Sequence, residues 1–116
     1  MSGIEWIVDA QGCAVDRLQN VEHLRLLFNA IVKEMDLKPV GQEVWHQFPL
    51  TQGVTGILLL QESHLTIHTF PEHQSACLNL FCCKERKGLE WHSFLSGWLG
   101  SDKIRLQEYQ RQYICD

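Results

Sequence analysis

The chain has 116 residues, which is the length of one domain or of one half of a larger assembly. Its composition, 45% hydrophobic and 21% charged, is that of a soluble globular protein and excludes a disordered chain. The formal net charge is −4 and the basic residues are scattered, so we expect no nucleic-acid partner.

Targeting signals are not evident in this sequence. The N-terminal segment lacks the basic start and the long apolar stretch of a signal peptide. The longest apolar run, 57–60, is far too short to span a bilayer. We therefore expect a cytoplasmic protein with no membrane partner. Five cysteines are an odd number, which in a reducing compartment indicates thiols rather than a disulfide framework.

The first predicted elements are a strand and a helix. Alternating apolar residues predict a half-buried strand over 4–9. Between 20 and 35 the apolar residues recur at intervals of three and four, which predicts an amphipathic helix. Asn20 is the expected N-cap of that helix, and Pro39 breaks the chain after it.

The rest of the chain is mostly strand. We predict four strands in the middle of the chain, at 44–48, 54–60, 64–70 and 76–83. The continuous apolar run at 54–60 indicates a strand that is covered on both faces. A second helix over 89–99 and an edge strand over 104–114 follow. This order predicts one α+β domain over 1–116, a two-layer sandwich of a mostly antiparallel sheet with two helices on one face.

The densest cluster of reactive side chains lies at 62–73, and adjacent cysteines follow at 82–83. One interpretation is a metal site. On a strand, however, His64 and His68 lie about 13 Å apart, which is too far for one ion. His73 with either cysteine matches no common zinc spacing. A second interpretation is structural, because polar residues often form the wetter face of a strand and cysteine is a common core residue.

A third interpretation comes from resemblance. Residues 62–72 read Glu-Ser-His-Leu-Thr-Ile-His-Thr-Phe-Pro-Glu, within a longer run from 53 to 83. This run resembles the bacterial and archaeal S-adenosylmethionine decarboxylase family. The resemblance extends to the N-terminal strand and helix and fades after Lys84.

The resemblance implies that the chain is a proenzyme. In this family a serine hydroxyl attacks the preceding carbonyl, and elimination and hydrolysis then leave a pyruvoyl group. The expected cut lies between Glu62 and Ser63, giving a β chain (1–62) and an α chain (63–116). The cofactor would be a covalent pyruvoyl group derived from Ser63. Its ketone would form a Schiff base with the substrate amine and draw off the electrons left by departing carbon dioxide.

The resemblance also implies roles in cleavage and catalysis. His68 matches the histidine that takes a proton during self-cleavage, a role that suits an imidazole. Thr55 stands where the family usually has a serine that helps processing, and it keeps the hydroxyl. Cys83 matches the cysteine that returns a proton to the decarboxylated carbon, with Cys82 as its structural neighbour.

Three further residues are expected to bind substrate. Glu72 matches the acidic residue that holds the ribose hydroxyls. Phe48 is a candidate to stack on adenine or to face the sulfonium, with core packing as the alternative. Asp9 matches a glutamate of the family's first strand and is shorter by one methylene.

Several positions depart from the family pattern. Gln74-Ser75 replace a Gly-Tyr pair, Asn79 sits where aspartate is common, and Lys84 replaces a glycine. The expected substrate is S-adenosylmethionine, whose decarboxylated form donates the aminopropyl group of spermidine. The alternatives are a related decarboxylase of ornithine or arginine, and an inactive, unprocessed homologue that acts as a binding partner. Like its relatives, the protein is expected to form a homodimer of αβ pairs.

Overall fold

The computed structural model describes residues 2–114 and contains six strands and three helices. The strands are β1 (Ser2–Gln11), β2 (Val44–Gln47), β3 (Val54–Leu60), β4 (Ser63–Phe70), β5 (Ser75–Cys82) and β6 (Lys103–Gln112). The helices are α1 (Val15–Leu18), α2 (Val21–Glu34) and α3 (Trp91–Leu99). The strands form one antiparallel sheet in the order β2-β3-β4-β5-β1-β6. The α+β prediction is confirmed.

Both long helices cover the same face of the sheet. Trp6 of β1 contacts Trp91 of α3 with 6.4 Å between ring centroids. Phe28 of α2 contacts Trp45 of β2 at 4.8 Å. Alternate strand residues point toward the helices, and their side chains merge with the apolar helix faces into one core. The fold is therefore the expected two-layer sandwich.

The local sequence signals agree with the element boundaries. The side chain of Asn20 accepts a hydrogen bond from the backbone N–H of His23 at 3.0 Å, which confirms the predicted N-cap of α2. The final strand lies at the edge of the sheet, as predicted. The short helix α1 was not predicted, because four residues are too few to show a helical period.

The prediction of a covered strand over 54–60 is wrong for one of its two faces. Ile57 and Leu59 of β3 are 46% and 57% exposed, whereas Leu58 and Leu60 lie in the core. The physical reason is that the helices cover only one face of the sheet. Every second side chain of the apolar run points to the other face, where no helix or strand within residues 2–114 packs against it. We call the uncovered side the open face.

Apolar and polar side chains are mixed on the open face. Its exposed or half-buried residues on the inner strands are Glu5, Ile7, Asp9, Thr55, Ile57, Leu59, His64, Thr66, His68, Phe70, Cys77, Asn79 and Phe81. Apolar side chains grouped on an open sheet face indicate an interaction surface.

Two further observations concern the described part of the chain. Within residues 2–114, the cysteines at 13, 77, 82 and 83 form no disulfide, and Cys115 lies outside the described residues. None of the helices between residues 2 and 114 has the length and apolar character needed to cross a membrane.

Candidate active site

The predicted cleavage site lies in the turn that joins β3 to β4. Leu60 pairs with Ser63 across this hairpin, so only Gln61 and Glu62 form the turn. Glu62 has a φ of 56°, in the left-handed region that non-glycine residues rarely adopt. The Ser63 hydroxyl donates a hydrogen bond to the Gln61 carbonyl at 3.2 Å. The peptide bond before Ser63 therefore follows a residue in a strained conformation.

Ser63 and Cys83 line the same cavity, which has a volume of about 620 Å³. We call it the Ser63 cavity. Its other lining residues are Asp36, Leu37, Lys38, Gln61, Glu62, Lys84 and Arg86. Cys82 lies instead in the core, where burial raises the pKa of its thiol. The structure thus brings together the predicted nucleophile and the predicted proton donor.

One wall of the Ser63 cavity is cationic. Arg86 donates to the carbonyl of Met35 at 2.7 Å, just beyond the end of α2, and this bond holds its guanidinium beside the cavity. Lys38 forms an ion pair of 3.0 Å with Asp36 at the same wall. From the sequence, Lys84 was noted only as a departure from the family pattern. In the structure Lys84 lines the cavity together with Arg86. Sequence reasoning missed this wall because its members come from two distant segments.

Four of the other predicted residues share a second cavity, of about 410 Å³. We call it the His68 cavity; Phe48, Thr55, His68 and Glu72 line it. Thr51, Thr69 and Phe70 complete its lining. Thr55 and His68 are direct partners across β3 and β4, and Thr55 Oγ1 lies 3.0 Å from His68 Nδ1. The structure therefore places the two residues predicted to assist processing in direct contact.

Phe48 and Glu72 both line the His68 cavity and are both exposed. Phe48 is 47% exposed and makes an edge contact with His46 at 4.7 Å, so it is not a core residue. Glu72 is exposed in the 3-10 turn Pro71–His73, which directly follows β4. The aromatic ring can stack on a nucleobase, and the carboxylate can accept hydrogen bonds from the hydroxyls of a ribose.

Asp9 lies in the same cross-strand row as His68, and Cys77 stands between them. Asp9 lines neither of the two cavities. Burial and the neighbouring Asp9 carboxylate, with which the thiol can hydrogen-bond, raise the pKa of Cys77 to about 11. Cys77 is therefore a protonated thiol near neutral pH. The sequence alone did not single out Cys77. Its alternation with the buried residues of β5, which places it on the same face as Asn79 and Phe81, could have indicated this position.

The two cavities lie near opposite ends of β4. Ser63 and His68 are five residues apart on that strand, about 16 Å at a rise of about 3.3 Å per residue. An odd separation also directs the two side chains to opposite faces of the sheet. Within one copy of the chain, His68 and Thr55 are therefore remote from the bond that they are predicted to help cut.

Two of the three histidines in the reactive segment are held by hydrogen bonds. His64 lies 2.8 Å from Asn79 and His68 lies 3.0 Å from Thr55. Among the residues that the structure describes, His, Cys, Asp and Glu side chains form no group of three that could bind a metal ion.

Gln74 is one of the departures from the family pattern, and its backbone and side chain both make hydrogen bonds to Cys13. It has a φ of 50°, a conformation that favours glycine, at the position where the family has glycine. Its carbonyl accepts from the backbone N–H of Cys13 at 2.9 Å, and its side-chain amide donates to the Cys13 carbonyl at 3.3 Å. The side chain thus stabilises the connection between β1 and α1 that a glycine would leave without this bond.

Comparison with known proteins gives a consistent result. The sequence profile of the S-adenosylmethionine decarboxylase family matches residues 4–112. The S-adenosylmethionine decarboxylase proenzyme of Persephonella marina is 37% identical over 81 residues, which are 70% of this chain and 59% of that protein. This alignment thus covers less than two thirds of the relative's length. The proenzyme of the same name from Aquifex aeolicus is 30% identical over 113 residues, 97% of this chain and 82% of that protein.

A solved structure shows the same architecture. The crystal structure of the adenosylmethionine decarboxylase from Aquifex aeolicus superposes with a TM-score of 0.83 at 28% identity. The superposition covers 98% of this chain and 93% of that one. Profile, relatives and structure agree with the motif around Ser63, and this chain belongs to the S-adenosylmethionine decarboxylase family.

Proposed function

We propose that this protein is a self-cleaving, pyruvoyl-dependent decarboxylase of S-adenosylmethionine. The observation that carries the proposal is the position of Ser63 within the family motif. It begins a strand, follows a residue with left-handed backbone geometry and lines a cavity together with Cys83. A role in supplying the aminopropyl donor for spermidine follows from that reaction.

Cleavage would occur at the Glu62–Ser63 bond. The Ser63 hydroxyl attacks the Glu62 carbonyl, and the peptide bond becomes an ester. Elimination then releases the upstream chain with Glu62 as a free carboxylate and leaves dehydroalanine at residue 63. Water hydrolyses its imine form, which releases ammonia and leaves the pyruvoyl group. Strain at Glu62, with a φ of 56°, favours a reaction that breaks the turn. The products are a β chain, 1–62, and an α chain, 63–116.

The residues around the Ser63 cavity fit the pyruvoyl group and the reaction. The group, once formed, supplies an electron-withdrawing ketone in a chain that needs no added cofactor. Cys83 shares the cavity with residue 63 and would return a proton to the carbon that loses carbon dioxide. Arg86 lines the cavity and is held at the end of α2 by its hydrogen bond to the Met35 carbonyl.

The complete site would need a second copy of the chain. Ser63 and Cys83 lie near one end of β4, whereas Thr55 and His68 lie near the other. Two copies related by a two-fold axis on the open face would bring the Thr55 and His68 end of β4 in one copy beside the Ser63 end of β4 in the other, next to the bond to be cut. The apolar side chains of Ile57 and Leu59, exposed on that face, support such a homodimer of αβ pairs.

The His68 cavity favours a nucleoside substrate over ornithine or arginine. Phe48 offers an exposed ring and Glu72 an exposed carboxylate within one cavity. A base and a ribose use both groups, and a sulfonium is attracted to an aromatic face. Ornithine and arginine have neither a nucleobase nor a ribose, so they cannot stack a base on Phe48 while a ribose binds Glu72.

Intact-mass spectrometry under denaturing conditions tests the proposed cleavage. We expect two fragments that split between residues 62 and 63, the second carrying a pyruvoyl group. The Ser63→Ala variant should remain whole and serve as the control. The processed protein should release carbon dioxide from S-adenosylmethionine but not from ornithine or arginine. A wild-type chain that stays whole would contradict the proposed cleavage and indicate an inactive, unprocessed homologue instead.

Co-expression of two differently tagged variants tests the shared site. A His68→Ala chain keeps Ser63, and a Ser63→Ala chain keeps His68. If the partner subunit supplies His68, the His68→Ala chain should be cleaved when the two are expressed together and remain whole when it is expressed alone. Equal cleavage in both cultures would contradict a site shared between copies.

A further inference from the structure

A row of four polar side chains crosses the open face from β4 to β6. His64 Nε2 lies 2.8 Å from Asn79 Oδ1, and Asn79 Nδ2 donates to Glu5 Oε2 at 2.8 Å. The other oxygen of Glu5 pairs with Arg111. We call these four residues the His64 network. None of them lines the Ser63 cavity or the His68 cavity.

Elementary hydrogen-bond chemistry fixes the direction of each bond. A carboxylate only accepts, so Asn79 turns its amide NH₂ toward Glu5 and its oxygen toward His64, which must donate. The imidazole of His64 also stacks on Phe81, with 5.9 Å between centroids and 28° between planes. The Arg111 guanidinium lies 6.0 Å from the same ring. Polar and aromatic contacts thus hold the His64 side chain in one orientation.

His64 lies next to the expected cleavage site, so the network holds the segment that the cut would release. This histidine directly follows Ser63, so it would be the second residue of the α chain after cleavage. In the uncut protein, the turn formed by Gln61 and Glu62 holds the start of β4. Cleavage removes that covalent restraint, and a chain terminus frays unless other contacts hold it.

The network also connects the two products of cleavage. His64, Asn79 and Arg111 belong to the α chain (63–116), whereas Glu5 belongs to the β chain. Glu5 is 15% exposed and receives hydrogen bonds from both Asn79 and Arg111. The new terminus is therefore linked by side chains to β1, a strand that the cut does not touch.

We propose that His64 is a positioning residue that holds the cleaved end of β4 in place through Asn79, Glu5 and Arg111. The proposal rests on the proposed function, because it concerns the residue that becomes the pyruvoyl group. The four residues line neither cavity, so we expect the network to act on the position of residue 63 and not on substrate binding. Its loss should therefore lower kcat more than it changes KM.

The test is a pair of substitutions that break and then restore one bond. Asn79→Asp places a second carboxylate against Glu5 and replaces an attraction by a repulsion. In the double variant Glu5→Gln/Asn79→Asp, the glutamine amide can donate to the new aspartate, which still accepts from His64. The matched control is His92→Gln, which removes an exposed histidine on α3.

Amide hydrogen exchange of the cleaved protein provides a readout that is independent of activity. In Asn79→Asp we expect residues 64–66 to exchange about tenfold faster or more, and kcat per pyruvoyl group to fall roughly tenfold. The double variant should recover both values to within about threefold, and His92→Gln should match the wild type. Global stability, measured in parallel, separates this local effect from unfolding.

The possible outcomes separate the two proposals. A wild-type chain that is never cut contradicts the proposed function and, with it, the role of the network. A wild type that is cut and active, with unchanged exchange and kcat in Asn79→Asp, contradicts the network alone. Faster exchange or a lower kcat in Asn79→Asp that the double variant fails to restore also contradicts it, because the bond between residues 5 and 79 would then not be the cause.

Discussion

At the scale of single residues, the two adjacent cysteines have different environments. Cys83 lines the Ser63 cavity, whereas Cys82 is 1% exposed in the core, where burial raises the pKa of its thiol. Cys82 is the last residue of β5 and points into the core, whereas Cys83 lies just beyond the end of that strand. Adjacent cysteines in a sequence therefore do not imply a shared chemical role.

Cysteine variants test this distinction. We expect Cys83→Ala to be cleaved normally but to decarboxylate S-adenosylmethionine about 100-fold more slowly, because it lacks the proton donor. Cys82→Ala should keep its activity per folded molecule and lose only about 1 kcal/mol of stability from the small cavity that it leaves. Carbon dioxide release and urea unfolding measure the two effects. Equal activity of both variants would contradict the assignment of Cys83.

At the scale of elements, one buried threonine joins two strands and a helix near the His68 cavity. Thr69 of β4 is 4% exposed. Its hydroxyl accepts from the backbone N–H of Val54 at 2.8 Å and donates to the carbonyl of Leu18 at 2.8 Å. It thereby links β3 and α1 to the strand that carries His68.

Replacement of this hydroxyl should destabilise the fold. In Thr69→Val, a buried N–H and a buried carbonyl both lose their partner, so we expect a loss of roughly 2 to 4 kcal/mol. Thr69→Ser keeps the hydroxyl and should lose about 1 kcal/mol. Urea unfolding in a Ser63→Ala background, where the chain stays whole, gives both values. Similar losses in the two variants would show that the methyl group matters and the hydrogen bonds do not.

The ion pair between β1 and β6 makes stability depend on pH. The hydrogen bond from Asn79, followed by the contact with Arg111, lowers the pKa of Glu5 below its ordinary value of 4.5. The unfolded chain then binds the Glu5 proton more tightly, so the free energy of unfolding falls as the pH drops through and below about 4.5.

Glu5→Gln should therefore be less stable than its parent near neutral pH and should lose less stability on acidification. Urea unfolding from about pH 6 to about pH 3 in the Ser63→Ala background measures this slope. Glu108→Gln, which removes an exposed carboxylate on β6, is the control and should keep the parental slope. A parental slope in Glu5→Gln would exclude Glu5 as a source of the acid sensitivity.

At the scale of the whole molecule, the strand order interleaves the two expected chains. β1 belongs to 1–62, but it lies between β5 and β6, which both belong to 63–116. It pairs with β6 along its whole length and with β5 along most of it. β3 of the first chain also pairs with β4 of the second. Cleavage at the turn therefore breaks none of these strand pairs.

We accordingly expect the cleaved chains to remain associated. Under native conditions the two fragments should elute together from a size-exclusion column, at the same volume as the uncut Ser63→Ala variant. In denaturant they should separate, because only hydrogen bonds and packing join them. Separate elution in native buffer would contradict the interleaved sheet.

Some properties of this protein follow from the sequence alone. Apolar alternation or short apolar runs predicted most of the strands, the spacing of three and four residues predicted α2, and Asn20 predicted its start. The motif at 62–72 indicated the family, which the family profile confirmed. These signals are local, because a side chain's direction depends on the period of its own strand or helix.

Tertiary structure alone decided how the reactive residues are grouped. The sequence placed Ser63, His68 and Cys83 in one set, but the structure joins Ser63 to Cys83 and leaves His68 at the other end of β4. It also showed that β3 is half exposed and that Glu5 meets Arg111. The physical reason is that strand order and helix placement depend on packing between distant segments, which no local pattern of side chains encodes.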